Sequence, residues 1–449
     1  MCAKKNTDTI ATDALLGGSF LYRNPKGKTL DERYKPFNQY VDLLKLNGVY
    51  PYSRTVDSKL GAEVHLRNTW ADEDMPCLNF GSQDYMGMTS HPAVMQAARE
   101  AVDTYGVTSG GTPVLGGRNT LTNQLERRIA EVLGVEQAQA FASGWSACFG
   151  AIAGLVTPKD YVVMDMLMHN SSDVAANYAT ELVYKFKHND LEDLEKKLIF
   201  CRKRDAQAGL FLLVESLYSM NSDGPDLLGV YALAQKYEAI LIIDVAHDFG
   251  CMGERGLGLL ETLDLKNCQD VIVMGSMSKT LCNPGGFVAG PRSIRYQIEI
   301  FSPSYTFASS ISTIACATIL KAMEIAFSDE GKIIRQKLMD NITFAIHELN
   351  KRGFYTNGVP SPFIPVMIGD ARLARLLTRE ILTMGLIANQ IEFPAVPRHR
   401  SIIRFQMMGG MTKEQIIRAC DIMQEGMIRA QNTLLNVKMD AVEILPDYE

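Results

Sequence analysis

Several short apolar runs in this chain each hand over, at the carboxyl end, to a residue able to do chemistry. YVVMD (161–165) leads into MLMHNSS and His169; FLLVE (211–215) leads into SLYSMNSDG and Ser219. ILII (240–243) is followed by DVAHDFG, with Asp244 and His247. VIVMG (271–275) is followed by SMSK, which sets Lys279 among Ser276, Ser278 and Thr280, ahead of a glycine-rich stretch with Gly285, Gly286 and Gly290. Upstream, FASGWSACFG puts Ser143, Gly144 and Trp145 at a helix start. Singly, each has an ordinary reading: a capping Asp, a turn His, a Ser-Gly N-cap, a solvated Lys. If the runs are parallel strands, however, all of these residues face one crevice, because open parallel sheets bind ligands at the carboxyl ends of their strands.

An acid, two histidines, a lysine and a helix N-terminus suit an aldehyde cofactor held as a lysine imine. Lys279 supplies the amine, which must be neutral to react, so the site has to depress its pKa. A carboxylate, Asp244, keeps a ring nitrogen protonated and so keeps the electron sink strong. The flat side chain of His169 stacks on the ring. Free N–H groups at Ser143-Gly144-Trp145, with the helix dipole, receive a phosphate, and Ser276 and Ser278 add hydroxyls. That set describes pyridoxal 5'-phosphate anchored on Lys279.

The elements that must position these residues are legible in outline. The continuous apolar runs, together with LVYKF (182–186), have the length and texture of strands covered on both faces. Helical stretches such as LTNQLERRIAEVLG (121–134) and LGVYALAQKY (228–237) fall near or between them. Strand and helix in alternation predict an α/β fold with a mainly parallel sheet. The segment 140–156 reads as one tightly packed core helix, too interrupted by Gly and Ser to span a membrane. After about residue 330 two long helices flank a likely strand, SPFIPVMIG, as in a smaller α+β domain. The expected division is an N-terminal arm and segment (1–90), a large cofactor-binding domain (91–330) and a C-terminal small domain (331–449).

Composition removes other classes. Of 449 residues, 47% are hydrophobic and 21% charged, and the formal net charge is −6. That gives no basic footprint for nucleic acid. The seven histidines show no metal-ligand spacing, so no metal is expected. Nine cysteines without a C-x-x-C pair fit a reducing cytosol, and the polar beginning has no signal-peptide core. A cytoplasmic enzyme without a transmembrane segment is the expectation.

The chain also resembles a known family, the α-oxoamine synthases among the fold-type I pyridoxal phosphate enzymes, from about residue 45 to about 430. LNFGSQDYMGMTSHPAV (78–94) is similar to the family's Asn-Phe…Asn/Asp-Tyr-Leu-Gly-Leu opening. LFLLVESLYSMNSDGPDLL resembles its Glu-Gly-x-x-Ser-Met-Asp-Gly segment, and IIDVAHDFGCMGERGLG its Asp-x-Ala-His block. VIVMGSMSKTLCNPGGFVAG matches the lysine block and FPAVPRHRSIIRFQM the C-terminal arginine segment.

The resemblance implies a large domain with a mainly parallel, seven-stranded-type sheet and a smaller α+β domain. It implies that Lys279 forms the internal aldimine and shuttles the proton, and that Asp244 pairs with the pyridine nitrogen. His247 would approach the ring's O3', His169 would stack, Gly144 and Trp145 would lie at the cofactor, and Ser276 would hold phosphate. Arg404 would take the substrate carboxylate, a bidentate match that lysine cannot copy. Ser219 and Asp84 would line the substrate side. An obligate homodimer is implied, with Ser309 lent to the neighbour's phosphate. The implied reaction condenses glycine, alanine or serine with an acyl thioester, on CoA or a carrier protein, giving an α-amino ketone and CO2. Departures from the family pattern are Pro113, Gly117-Arg118, Asp248, Ala308 and Met411.

Other readings use the same loops. An aminotransferase or lyase shares the lysine, acid and arginine, but yields an oxo acid and consumes no thioester. A serine hydrolase would need a G-x-S-x-G elbow, which is not in the sequence. A non-catalytic subunit would have no need of the imine lysine.

Overall fold

Two seven-stranded sheets organise the computed structural model, which describes residues 10–68 and 73–437. Most of the polar beginning (residues 1–9), residues 69–72 and the last part of the C-terminal segment (438–449) lie outside the described residues.

The large sheet runs Gln137–Phe141, Gly286–Gly290, Val271–Ser276, Ile240–Asp244, Leu210–Glu215, Tyr161–Asp165 and Val183–Phe186 from edge to edge. Only Gly286–Gly290 runs against the others, pairing antiparallel with both of its neighbours. Tyr161–Asp165 and Leu210–Glu215 are buried along their whole length, as continuous apolar runs demand of strands covered on both faces. The expected α/β class and mainly parallel sheet are therefore present.

Two local readings need correction. Residues 140–156 are not one helix: Ala140 and Phe141 close the edge strand, and the helix runs Gly144–Leu155. The glycine-rich stretch after Lys279 is a turn only as far as Gly285, beyond which it becomes the antiparallel strand. The glycines do mark backbone that needs room. A Cβ on Gly286 would stand 2.4 Å from the Ser143 carbonyl oxygen, and one on Gly144 would stand 2.5 Å from the Ser276 Cβ. The helix N-terminus is thus pressed onto the strand ends because there is no side chain between them.

The second sheet joins the two ends of the chain. Thr55–Val56, Glu63–Asn68 and Glu73–Phe80 continue into Leu386–Ile391, Ser401–Gln406, Phe363–Gly369 and Tyr355–Thr356. The seam is a parallel pairing of Leu78 with Leu386 and Phe80 with Ala388. Segments set apart in the sequence, 1–90 and 331–449, therefore share one sheet. Helices Asp329–Lys351 and Lys413–Asn436 accompany it. The N-terminal arm is tied on by the buried Arg375, which pairs with Glu392 and donates to the carbonyls of Ala14 and Leu15.

The glycine contact is testable. Gly286→Ala should lower folding stability by about 1–3 kcal/mol, because the new methyl meets backbone rather than a flexible side chain. Thermal or urea unfolding checks this; an unchanged midpoint would contradict the close approach.

Candidate active site

The floor of the site is a pair of acids side by side on adjacent parallel strands: Glu215 and Asp244 end their strands in register with one another. Both are buried. Asp244 accepts a 2.9 Å bond from the Ala246 N–H and has no ion-pair partner among the described residues. Burial pushes its carboxyl above the ordinary range, against the pull of the Lys279 charge. Glu215 is raised well above its ordinary value by burial and then by the Asp244 charge, and it accepts the His169 backbone N–H at 2.5 Å. Lys279 is half-buried, and its amine is pushed below the ordinary value chiefly by burial, with Asp244 acting in the opposite sense and Arg404 in the same. The acid and the amine are thus close enough to feel each other.

His169 caps helix Asn170–Ala179, its ring fixed by a 2.7 Å contact with the Ser171 hydroxyl and itself open to solvent at the mouth of the site. Ser143 caps helix Gly144–Leu155 through a reciprocal pair of bonds with Ser146. The cap leaves the N–H groups of Gly144 and Trp145 without partners among the described residues, as expected of a helix start. Ser276 lies against Gly144, and its hydroxyl contacts that of Ser278 at 2.8 Å. Two free amides, two hydroxyls and a helix dipole form an anion cradle.

The opposite wall comes from the second sheet and from the turn after its strand Glu73–Phe80. Tyr85 is fully buried and its hydroxyl lies 3.1 Å from His247 Nδ1. The His247 ring meets Phe363 edge-on at 5.1 Å, and the Arg404 guanidinium lies 4.3 Å from the centre of the same Phe363 ring. Burial, and then the Lys279 and Arg404 charges, hold His247 well below its ordinary pKa, so it is neutral. Arg404 is 6% exposed, yet its Nε and one terminal nitrogen have no hydrogen-bond partner. It lines a cavity of about 620 Å³ shared with Asp84, Ser278, Cys282, Asn389 and Gln406.

Lys279, Asp244, His169, His247, Ser143, Gly144, Ser276 and Arg404 therefore come together. Asp84 lines the cavity, but its oxygens are occupied by the N–H groups of Met88 and Thr89. Trp145 offers its amide only; its ring stacks on Phe149, 5.3 Å away on the outer face. Ser219 is half-buried in the turn 216–224, outside the residues that line the cavity, and Ser309 is exposed on the segment 302–312. Sequence reasoning passed over Glu215 and Tyr85. The first looks like the end of a strand, and the second adjoins the Asp84 that was chosen.

Two of the departures from the family pattern, Asp248 and Arg118, have structural counterparts, and Ser216 stands where the family's Glu-Gly segment has its glycine. Ser216 replaces a glycine and Asp248 a serine, and the two side chains hydrogen-bond at 2.6 Å just beneath Glu215 and Asp244. Asp248 also accepts the Leu259 N–H, and burial raises its carboxyl to about 6. Arg118 pairs with Glu126 and donates to Tyr305 and Asn123, tying 110–118 to the segment that carries Ser309. His188 bridges Asp165 and Asp223 at 3.0 Å each, which fixes the turn bearing Ser219.

Comparison with known proteins agrees with this geometry. The signature of the aminotransferase class I and II family covers residues 75–423. A serine palmitoyltransferase from Sphingobacterium spiritivorum is 31% identical over 89% of this chain and 96% of its own length. An 8-amino-7-oxononanoate synthase from Thermosipho melanesiensis is 29% identical over 85% and 95%. The chain belongs to the α-oxoamine synthase family. Among solved structures, Sphingomonas wittichii serine palmitoyltransferase superposes with a TM-score of 0.82 at 26% identity, covering 91% of this chain and all of that one. A serine palmitoyltransferase with pyridoxal phosphate as internal aldimine superposes with a TM-score of 0.83 at 25% identity, over 90% of this chain.

As a member of that family the chain is a pyridoxal 5'-phosphate-dependent acyltransferase, which joins a small amino acid to an acyl thioester with loss of CO2. The residues present fit this cofactor. An acid lacks a cation, two helix amides lack an anion, an amine is depressed toward neutrality, and a buried guanidinium has nitrogens to spare.

Two outcomes follow for the frame of the site. Ser216→Gly should cost about 1–3 kcal/mol by leaving Asp248 short of a donor, and Asp248→Ser should restore much of it in the double variant. Additive losses in a denaturation cycle would deny the pairing. His188, raised to about 9 by its two carboxylates against the opposing effect of burial, binds a proton more tightly folded than unfolded. Its contribution is complete below about pH 6.5 and is lost as pH rises through about 9, on the order of 2–3 kcal/mol. Melting followed from pH 6 to 10 should fall more steeply for the native chain than for His188→Gln; parallel curves would refute the clamp.

Proposed function

We propose that this cavity condenses a small amino acid, serine in the first instance, with an acyl-CoA, and that the buried Arg404 with unpartnered nitrogens receives the amino acid's carboxylate. That unpartnered guanidinium carries the reading. A cation nine-tenths buried without a counter-anion is costly unless a ligand supplies one, and the planar fork of arginine suits a carboxylate.

Pyridoxal phosphate, when bound, supplies an electron sink for the charge left on the substrate's α-carbon. The remaining work belongs to the chain. Lys279 anchors the cofactor and, its amine pushed by burial below the ordinary value, takes the α-proton at Nζ and later returns it. Asp244 holds a proton on the ring nitrogen. Glu215 fixes the His169 backbone, so that the imidazole would cover the ring face and keep water from it. Tyr85 sets the orientation of His247 toward the ring hydroxyl. The amides of Gly144 and Trp145, with Ser276 and Ser278, bind the phosphate.

A homodimer completes the reading. Leu115 and Phe307 are 87% and 85% exposed, and Phe307 neighbours Ser309; burying them against a second copy would bring Ser309 to that copy's phosphate cradle. The eight described cysteines are all free, which supports a reducing, cytoplasmic setting. No helix among the described residues is long and apolar enough to cross a membrane.

The test is the visible spectrum of the purified holoenzyme titrated with glycine, alanine and serine and then with acyl-CoAs, alongside released CO2 and CoA. Serine should shift the cofactor band and palmitoyl-CoA should then release CO2. Lys279→Ala should cut turnover about 10²–10⁴-fold. Arg404→Lys should weaken amino-acid binding about 10–100-fold, the loss of one or two charge-assisted hydrogen bonds. Bleaching of the band to an amine form with an oxo acid, without thioester consumption, would move the assignment to an aminotransferase.

A further inference from the structure

Three residues beyond Lys279, in the turn that leads back to strand Gly286–Gly290, Cys282 adopts φ +62°. That left-handed conformation favours glycine, and a thiol offers none of the local hydrogen bonding that lets Asn or Asp tolerate it. Among the described residues no hydrogen bond holds the thiol. Its backbone N–H reaches the Lys279 carbonyl at 3.1 Å, so the position of Cys282 is coupled to that of the lysine. The side chain lines the cavity of about 620 Å³ with Ser278, Asp84 and Arg404. The buried Arg404 lines the same cavity, and its Nε and one terminal nitrogen have no hydrogen-bond partner, an independent sign that a ligand is received there. Burial, then the Asp84 charge, raises the thiol to about 12, so Cys282 stands in the cavity as a neutral group of fixed volume rather than as a nucleophile.

We propose that Cys282 is a specificity-determining residue, whose side chain limits the amino acid admitted to this cavity to one with a small side chain. The inference deepens the proposed function and rests on its reading of the cavity as the amino-acid site. A hydrogen at this position would leave the backbone in a conformation glycine prefers and free the volume of a CH₂SH group. A substrate one methyl larger than serine, threonine, should then fit. A single methyl or methylene in such a pocket changes discrimination by about 10–200-fold.

The experiment uses the full-length holoenzyme, its Cys282→Gly variant and Cys282→Ala. Glycine, serine and threonine are the probes, and the change in cofactor absorbance gives an apparent Kd for each. Relative to glycine, threonine should bind about tenfold or more tightly in Cys282→Gly than in the native enzyme, with a smaller gain in Cys282→Ala. The melting temperature of Cys282→Gly should equal or exceed that of the native chain. An unchanged threonine-to-glycine ratio in a variant that still binds glycine overturns the proposal and leaves the proposed function standing. A uniform loss for all three amino acids with a lowered melting temperature also overturns it, in favour of a packing role. No response of the native holoenzyme to any amino acid would sink the reading of the cavity, and this inference with it.

Discussion

A carboxyl group at the buried end of a core strand is unstable as an ion unless something positive meets it, and this molecule places two there, Glu215 and Asp244, in register on neighbouring strands. The rest of the site answers that constraint. For Glu215, burial and the Asp244 charge favour the protonated form, and one oxygen is spent on the His169 backbone. Asp244 has only the Ala246 amide and the nearby charge of Lys279, too little to satisfy a carboxylate. A cationic ring nitrogen set against Asp244 would supply what is missing, and the same low-dielectric surroundings that make the acid costly push the Lys279 amine below its ordinary value.

Close packing makes this arrangement possible. The helix that offers its N-terminal amides can sit over the strand ends only because Gly144, Ser276 and Gly286 are small where they meet. Below, Ser216 and Asp248 have exchanged a glycine and a serine for a hydrogen-bonded pair, an adjustment that preserves the floor with different atoms. Above, Phe363 and Arg404 on the second sheet and Tyr85 in the turn after its strand Glu73–Phe80 form a wall against His247. The site is thus a seam between two sheets.

Lys279, Asp244, His169 and His247 were legible because buried parallel strands announce themselves as apolar runs, and the chemistry follows each run immediately. Ser276 was legible for the same reason, and Gly144 from its place at a helix start, although the end of the strand before it was read as helix. Glu215 was not, because the last residue of an apolar run looks like part of the strand. Tyr85 was hidden by distance, since its partner lies 162 residues away. The second sheet was only partly foreseen: no local pattern shows that Leu78 will pair in parallel with Leu386. The outward turn of the Trp145 ring depends on Phe149, one helical turn on, a choice of rotamer that the sequence leaves open.

The claim on which the account turns is that Asp244 keeps a proton on the cofactor's ring nitrogen, and ¹⁵N NMR of the enzyme loaded with ring-¹⁵N pyridoxal phosphate measures that directly. The account requires the shift of a protonated ring nitrogen at neutral pH in the native enzyme and that of an unprotonated one in Asp244→Asn. The same shift in both, or an unprotonated nitrogen in the native enzyme, would contradict it.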